Sequence, residues 1–117
     1  MGKLTTHILD TAHGRPGAGV TISLYRIVDG SRHMVGRFAT NADGRTDSPL
    51  LVDGELVVGV YELEFHVGEY FSRLGVNLPQ PRFFDVVPLR FGIADVNAHY
   101  HVPLLVSPWS YSTYRGS

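Results

Sequence analysis

Val58-Gly59-Val60-Tyr61-Glu62-Leu63-Glu64-Phe65-His66-Val67 is the stretch that decides the fold class. Tyr61, Leu63, Phe65 and Val67 fall on one side of an extended chain and Glu62, Glu64 and His66 on the other. This is the period-two alternation of a strand with one face in a core and the other in water. The turn signal Asp53-Gly54 precedes it. After it, Tyr70, Phe71 and Leu74 recur at helical spacing and Gly75 follows, which predicts a single short helix over 69–74 ended by the glycine.

Working outward, the same alternation recurs. Residues 4–10 suit a first strand, broken by Gly14-Arg15-Pro16-Gly17. Val20, Ile22 and Leu24 then alternate with Thr21, Ser23 and Tyr25 up to the hairpin signal Asp29-Gly30. A returning strand over 33–40 leads into Asn41-Ala42-Asp43-Gly44, so Arg45 is presented just past a tight bend. Towards the other end, 83–91 reads as a strand whose Pro88 marks an edge or a bulge. In 99–106, Tyr100, Val102, Leu104 and Val106 alternate with His99, His101, Pro103 and Leu105 until Pro108 stops the strand. Seven or eight short strands at this spacing predict an all-β sandwich with one short helix, and a single domain over 1–117.

Composition agrees and narrows the function. Thirteen glycines and seven prolines suit short strands joined by tight turns. A chain of 117 residues can bury one core but is short for a core plus a deep cleft of its own, so an enzymatic site would be shared with a neighbouring subunit. A net charge of −1 and the lack of a dense Lys/Arg run argue against nucleic acid. With no cysteine there is neither a disulfide framework nor a thiolate nucleophile or metal ligand. No apolar run spans a bilayer, and Leu4 follows Met1 too closely for a secretory signal, so a cytoplasmic protein without membrane contact is expected. Met1-Gly2-Lys3-Leu4-Thr5-Thr6 fits a loose myristoylation pattern, but a strand already begins at Leu4.

Chemistry must then come from histidine. His99 and His101 are two residues apart on a strand and project from one face. They could be half-exposed surface groups, a general acid and base, or metal ligands. Zinc would need a third and fourth ligand, and no cysteine or second close histidine pair supplies them, so no metal and no cofactor is expected. His7, between Thr6 and Ile8, carries little information alone. No Gly-x-Ser-x-Gly elbow and no phosphate-binding glycine loop is present. The last residues, 110–117, stay polar and aromatic where a frayed terminus would be the ordinary reading.

Several segments together resemble one family. They are Thr6-His7-Ile8-Leu9-Asp10, Gly14-Arg15-Pro16-Gly17, Asp43-Gly44-Arg45, the run from His99-Tyr100-His101 to Ser107-Pro108, and Tyr111-Ser112-Thr113-Tyr114-Arg115-Gly116-Ser117. They are similar to the 5-hydroxyisourate hydrolases of the transthyretin-like family, and they run from one end of the chain to the other. The stretch Ser107-Pro108-Trp109-Ser110-Tyr111-Ser112-Thr113 is also similar to the thyroid-hormone carrier transthyretin. The carrier lines its central channel with Lys, Glu and Thr; here stand His7, Arg45 and His101. Trp109, where many relatives have Tyr or Phe, and Gly17, where Ala is commoner, are the departures.

The resemblance implies an eight-stranded sandwich that pairs edge to edge, two such dimers forming a homotetramer around a channel lined by different subunits. It implies hydrolysis of 5-hydroxyisourate to 2-oxo-4-hydroxy-4-carboxy-5-ureidoimidazoline in urate breakdown, a purine-degradation step. His7, Arg45, His101 and Ser117 are the implied catalytic residues, His7, Arg45 and Tyr114 the substrate contacts, and His99 and Arg115 their supports. The competing reading is a non-catalytic carrier of a small aromatic ligand in the same channel. It is disfavoured by three ionisable groups where an apolar ligand would want aliphatic walls. A sandwich module for adhesion or carbohydrate binding would need an exposed aromatic platform, for which Trp109 is the candidate.

Overall fold

The computed structural model describes residues 2–116. Eight strands run in the order β1 (Lys3–Asp10), β2 (Arg15–Pro16), β3 (Thr21–Val28), β4 (Ser31–Ala39), β5 (Gly59–Phe65), β6 (Val87–Ile93), β7 (His99–Val106) and β8 (Tyr111–Thr113), with one helix, α1 (Val67–Arg73), between β5 and β6. They form two four-stranded sheets, β2-β1-β7-β8 and β4-β3-β5-β6. All pairs are antiparallel except β1 and β7, which run parallel with Thr5 opposite His101 and His7 opposite Pro103. No helix among the described residues is long and apolar enough to cross a membrane.

The alternation read in the sequence becomes the layering. Tyr61, Leu63 and Phe65 of β5 are buried between the sheets, where they meet Leu4 and Ile8 of β1, Ile22 and Leu24 of β3 and Leu104 of β7 in one core cluster. Each such side chain, fully buried, contributes about 1.5–3 kcal/mol. On the opposite face of β5, Glu62 is bridged by Arg90 (Nε to Oε1, 3.1 Å) and Arg32, and Glu64 by Arg32. The β3–β4 hairpin turns at Asp29 and Gly30, both with positive φ (50° and 78°). That pair of dihedrals matches the twist of the flanking strands.

The structure departs most from the sequence reading at four places. Val67 begins α1 and does not end β5, yet it stays fully buried. The hydrophobic pattern continues while the backbone changes from extended to helical, and period alone does not see that change. The strand expected over 83–91 is Val87–Ile93. Phe83 and Phe84 belong to the preceding loop, held by the Asp85 carbonyl accepting from Gly68 N (2.9 Å) and by the Arg82–Asp85 ion pair. Pro88 does lie on an edge strand, β6. Arg15-Pro16, read as part of a turn, pairs with Asp10 and Leu9 as β2. Tyr111–Thr113 pairs with β7 as β8 and does not fray.

Candidate active site

β1 sends Leu4, Thr6, Ile8 and Asp10 into the core, so Thr5 and His7 stand on the outer face of their sheet. β7 sends Tyr100, Val102, Leu104 and Val106 inward and leaves His99 and His101 outward, half-buried. Parallel pairing sets Thr5 directly against His101 and one step from His99. Three imidazoles and a hydroxyl from two strands more than ninety residues apart in sequence therefore share one surface, their backbones held by the sheet.

The hydrogen bonds are specific. Thr5 Oγ1 lies 2.8 Å from His99 Nε2 and 2.8 Å from His101 Nδ1. His7 Nε2 is 2.9 Å from the Asp43 carbonyl oxygen. A carbonyl can only accept, so His7 carries its proton on Nε2 and, when neutral, a lone pair on Nδ1.

Arg45 arrives on the loop after β4. Asn41 shapes that loop: its Oδ1 accepts from Asp43 N (2.9 Å) and its carbonyl from Gly44 N (3.0 Å). Gly44 has φ +75°, its carbonyl accepts from Ile8 N (2.8 Å), and a Cβ there would run into the Ile8 carbonyl oxygen. Glycine is thus required twice over, by the left-handed backbone and by the close approach to β1. The loop is pressed onto β1 beside His7, which brings Arg45 to the imidazoles. Thr5, Thr6, Arg45, Thr46, Asp47, Ser48 and Pro49 line a small hollow of about 130 Å³ there.

The local electrostatics favour neutral imidazoles. His101 is held below the ordinary histidine value by burial, then by the Arg45 charge, then by His99 and His7. His7 is lowered by burial and by Arg45, against the opposing Asp43 carbonyl bond and carboxylate. Burial and the Lys3 ammonium lower His99. A neutral imidazole beside a permanent guanidinium is a base next to an anion-stabilising group.

The chain end returns to the same place. Gly116 N donates to the His101 carbonyl (2.8 Å), and a Cβ on Gly116 would approach His101 Cδ2 to 2.7 Å, so only glycine lies this close to the ring. Arg115 reaches the His99 carbonyl (3.5 Å) and covers the Tyr100 ring at 4.3 Å. Tyr114 is not brought beside the imidazoles. With Arg115 it lines a larger cleft of about 440 Å³ between the edge strands β6 and β8. Ser117 lies outside the described residues. Among those residues no group of three or more His, Asp or Glu side chains is arranged to hold a metal ion.

Two features escaped the sequence. Thr5 shares a parity with His7, but nothing in the residues says which strand lies alongside it. Trp109, 57% exposed, is not alone: its ring sits 6.0 Å from that of Phe83, with Phe84 and Tyr111 packed behind.

The HIUase/Transthyretin family profile matches residues 4–116. A 5-hydroxyisourate hydrolase of Ralstonia nicotianae is 60% identical over 117 residues, the whole of both chains. The structure of Klebsiella pneumoniae 5-hydroxyisourate hydrolase superposes with a TM-score of 0.83 at 37% identity, all of both chains being covered. The crystal structure of (S)-allantoin synthase superposes with a TM-score of 0.94 at 50% identity over 99% of this chain but 44% of that one, so the chain spans less than half of that longer protein.

Proposed function

This chain belongs to the HIUase/Transthyretin family, and from that premise we propose that it is a 5-hydroxyisourate hydrolase acting in urate breakdown through the outer-face histidines of β1 and β7. The observation that carries the reading is the juxtaposition of His7 and His101, both held towards the neutral form, with the fixed charge of Arg45. An apolar carrier site has no use for that combination. A hydrolase needs both parts of it, a base for water and a cation for the oxygen that gains charge.

In this reading His101, with His7 as its partner, takes a proton from water as the oxygen attacks a ring carbonyl. Such general-base steps contribute about 10²–10⁴-fold. Arg45 binds the polar ring edge and stabilises the oxyanion; its planar donor fork fits a carbonyl–amide edge better than an ammonium would. The tetrahedral intermediate collapses with cleavage of the carbon–nitrogen bond. The proton held by the imidazole passes to the departing nitrogen, leaving a carboxylate and a ureido group. His99 and Arg115 support the imidazoles, and Ser117 is assigned by family resemblance to steadying them or the water.

The chain acts as one domain within a homotetramer in the cytoplasm. The site is an open sheet face with a shallow hollow, which a second dimer would roof into a channel. The edge strands β6 and β8, flanking the 440 Å³ cleft, are the free edges along which two chains would pair. Tyr114, at that cleft, then serves as a substrate contact delivered across a subunit boundary.

The test is the disappearance of freshly generated 5-hydroxyisourate, followed by ultraviolet absorbance with and without the protein. Rapid loss that vanishes in His101→Ala supports the hydrolase. Decay at the spontaneous rate in the presence of a folded tetramer would overturn it in favour of a carrier.

A further inference from the structure

A hydroxyl carries one proton to donate and lone pairs with which to accept. Thr5 Oγ1, at 2.8 Å from each of two imidazole nitrogens, therefore cannot donate to both. When its O–H goes to one ring, the other must present an N–H to it, and the two tautomers are then coupled through a single side chain. If His101 carries its proton on Nδ1, Thr5 accepts from it and donates to His99 Nε2, and His101 Nε2 keeps a free lone pair. In the reverse arrangement His99 donates from Nε2, Thr5 donates to His101 Nδ1, and His101 Nε2 bears the proton and cannot act as a base.

We propose that Thr5 is a positioning residue for hydrolysis, locking His101 as its Nδ1–H tautomer, with His99 as the acceptor that closes the chain, so that His101 Nε2 is the basic atom. This deepens the hydrolase reading and rests on it. Thr5 is suited to the task because a β-branched side chain is stiff at χ1 and because the parallel register holds it opposite His101. When Nε2 takes a proton from water, the imidazolium keeps its Nδ1–H on Thr5, and Thr5 keeps its O–H on His99. The same proton later leaves Nε2 for the departing nitrogen, so the protons of Thr5 and His99 need not move. Arg45 from the loop and His7 from β1 lower the pKa of His101 and Lys3 lowers that of His99, while Arg115 lies against the His99 carbonyl.

The experiment compares Thr5→Val, which keeps the shape and removes the hydroxyl, with Thr5→Ser, which keeps the hydroxyl. Thr5→Val is expected to lower kcat about 10–100-fold, the usual effect of losing an orienting partner, with KM little changed. Its acid limb moves to lower pH, because an acceptor that stabilised the imidazolium is gone. Thr5→Ser recovers most of the loss. In ¹⁵N spectra of the parent, His101 shows a protonated Nδ1 and an unprotonated Nε2, and Thr5→Val loses that preference. An active parent whose Thr5→Val variant keeps its kcat overturns the proposal alone, as does a folded Thr5→Ser as impaired as the valine variant. A parent with its proton on His101 Nε2 overturns it even if Thr5→Val fails to fold. An inactive parent overturns the hydrolase reading and this inference with it.

Discussion

His101 and His13 are the same residue type at opposite ends of the β1–β7 sheet, and their surroundings have opposite characters. His13 follows β1 and meets a carboxylate: its Nδ1 is 2.7 Å from Asp10 Oδ2, and its ring lies over Phe71 at 6.2 Å. Asp10 is buried and fully engaged, accepting also from Tyr70 Oη (2.7 Å) and from the backbone N–H groups of Ala12 and His13. Burial alone would raise its pKa, but the bonds from Tyr70 and His13 outweigh that and hold it below the usual carboxylate range. Tyr70, buried against the same carboxylate, is pushed up to about 12. Among the described residues His101 meets no carboxylate; it meets a hydroxyl, a guanidinium and two other imidazoles. An acidic partner ties an imidazole into the structure; cationic neighbours keep it neutral and available. Both environments follow from parity along β1, which turns Asp10 inward and His7 and Thr5 outward.

The largest test of this contrast is His101→Ala, which should lose about 10²–10⁴-fold in kcat while the denaturant midpoint stays near the parent's. A comparable loss of fold would remove the distinction between the two sites. Arg45→Ala comes next, with a loss of about 10²–10³-fold as expected for one oxyanion stabiliser. It also carries a pH signature. Arg45 depresses both His101 and His7, so its removal should raise their pKa values and move the acid limb of the rate profile to higher pH. An unmoved limb would show that the guanidinium does not act on the imidazoles.

Asp10→Asn should reverse the pattern, costing about 1–3 kcal/mol of stability, the range for disrupting a buried hydrogen-bonded group, with kcat per folded molecule unchanged. The folded Asp10 pKa is depressed, so its contribution to stability is fully present above the unfolded value of 3.8 and is lost as pH falls through the folded value. The Asn variant should therefore flatten the acid end of the stability curve, as chemical denaturation at stepped pH would show. Smallest of all is Arg32→Ala, on the outer face of the other sheet. It should leave kcat at the parent value in the same absorbance assay, and a measurable drop would mean that the second sheet communicates with the site.

Local chemistry made much of the fold legible. The burial of Tyr61, Leu63 and Phe65, the Asp29-Gly30 hairpin, the outward pair His99 and His101, the short helix and the edge position of Pro88 all follow from side-chain alternation or from dihedral preferences of a few adjacent residues. What was misplaced lay where two structures share one hydrophobic pattern. Val67 is buried whether the chain is strand or helix, and Phe83 and Phe84 read as strand residues although their rings pack against each other and against Trp109 and Tyr111. β2 and β8 are too short to carry a pattern; they exist because β1 and β7 offer edges to pair with.

That His99 and His101 share one face of β7 was settled by the sequence itself, because alternation is a property of each strand alone; on β1 both faces mix polar and apolar residues, and packing decided that Thr5 and His7 face outward. That Thr5 would bridge His99 and His101, that Gly44 would press Arg45's loop onto β1, and that Gly116 would lie against the His101 ring were decided only in three dimensions. Those contacts depend on the parallel register of two strands separated by nearly the whole chain, and register is set by packing the shared core rather than by either strand's own residues.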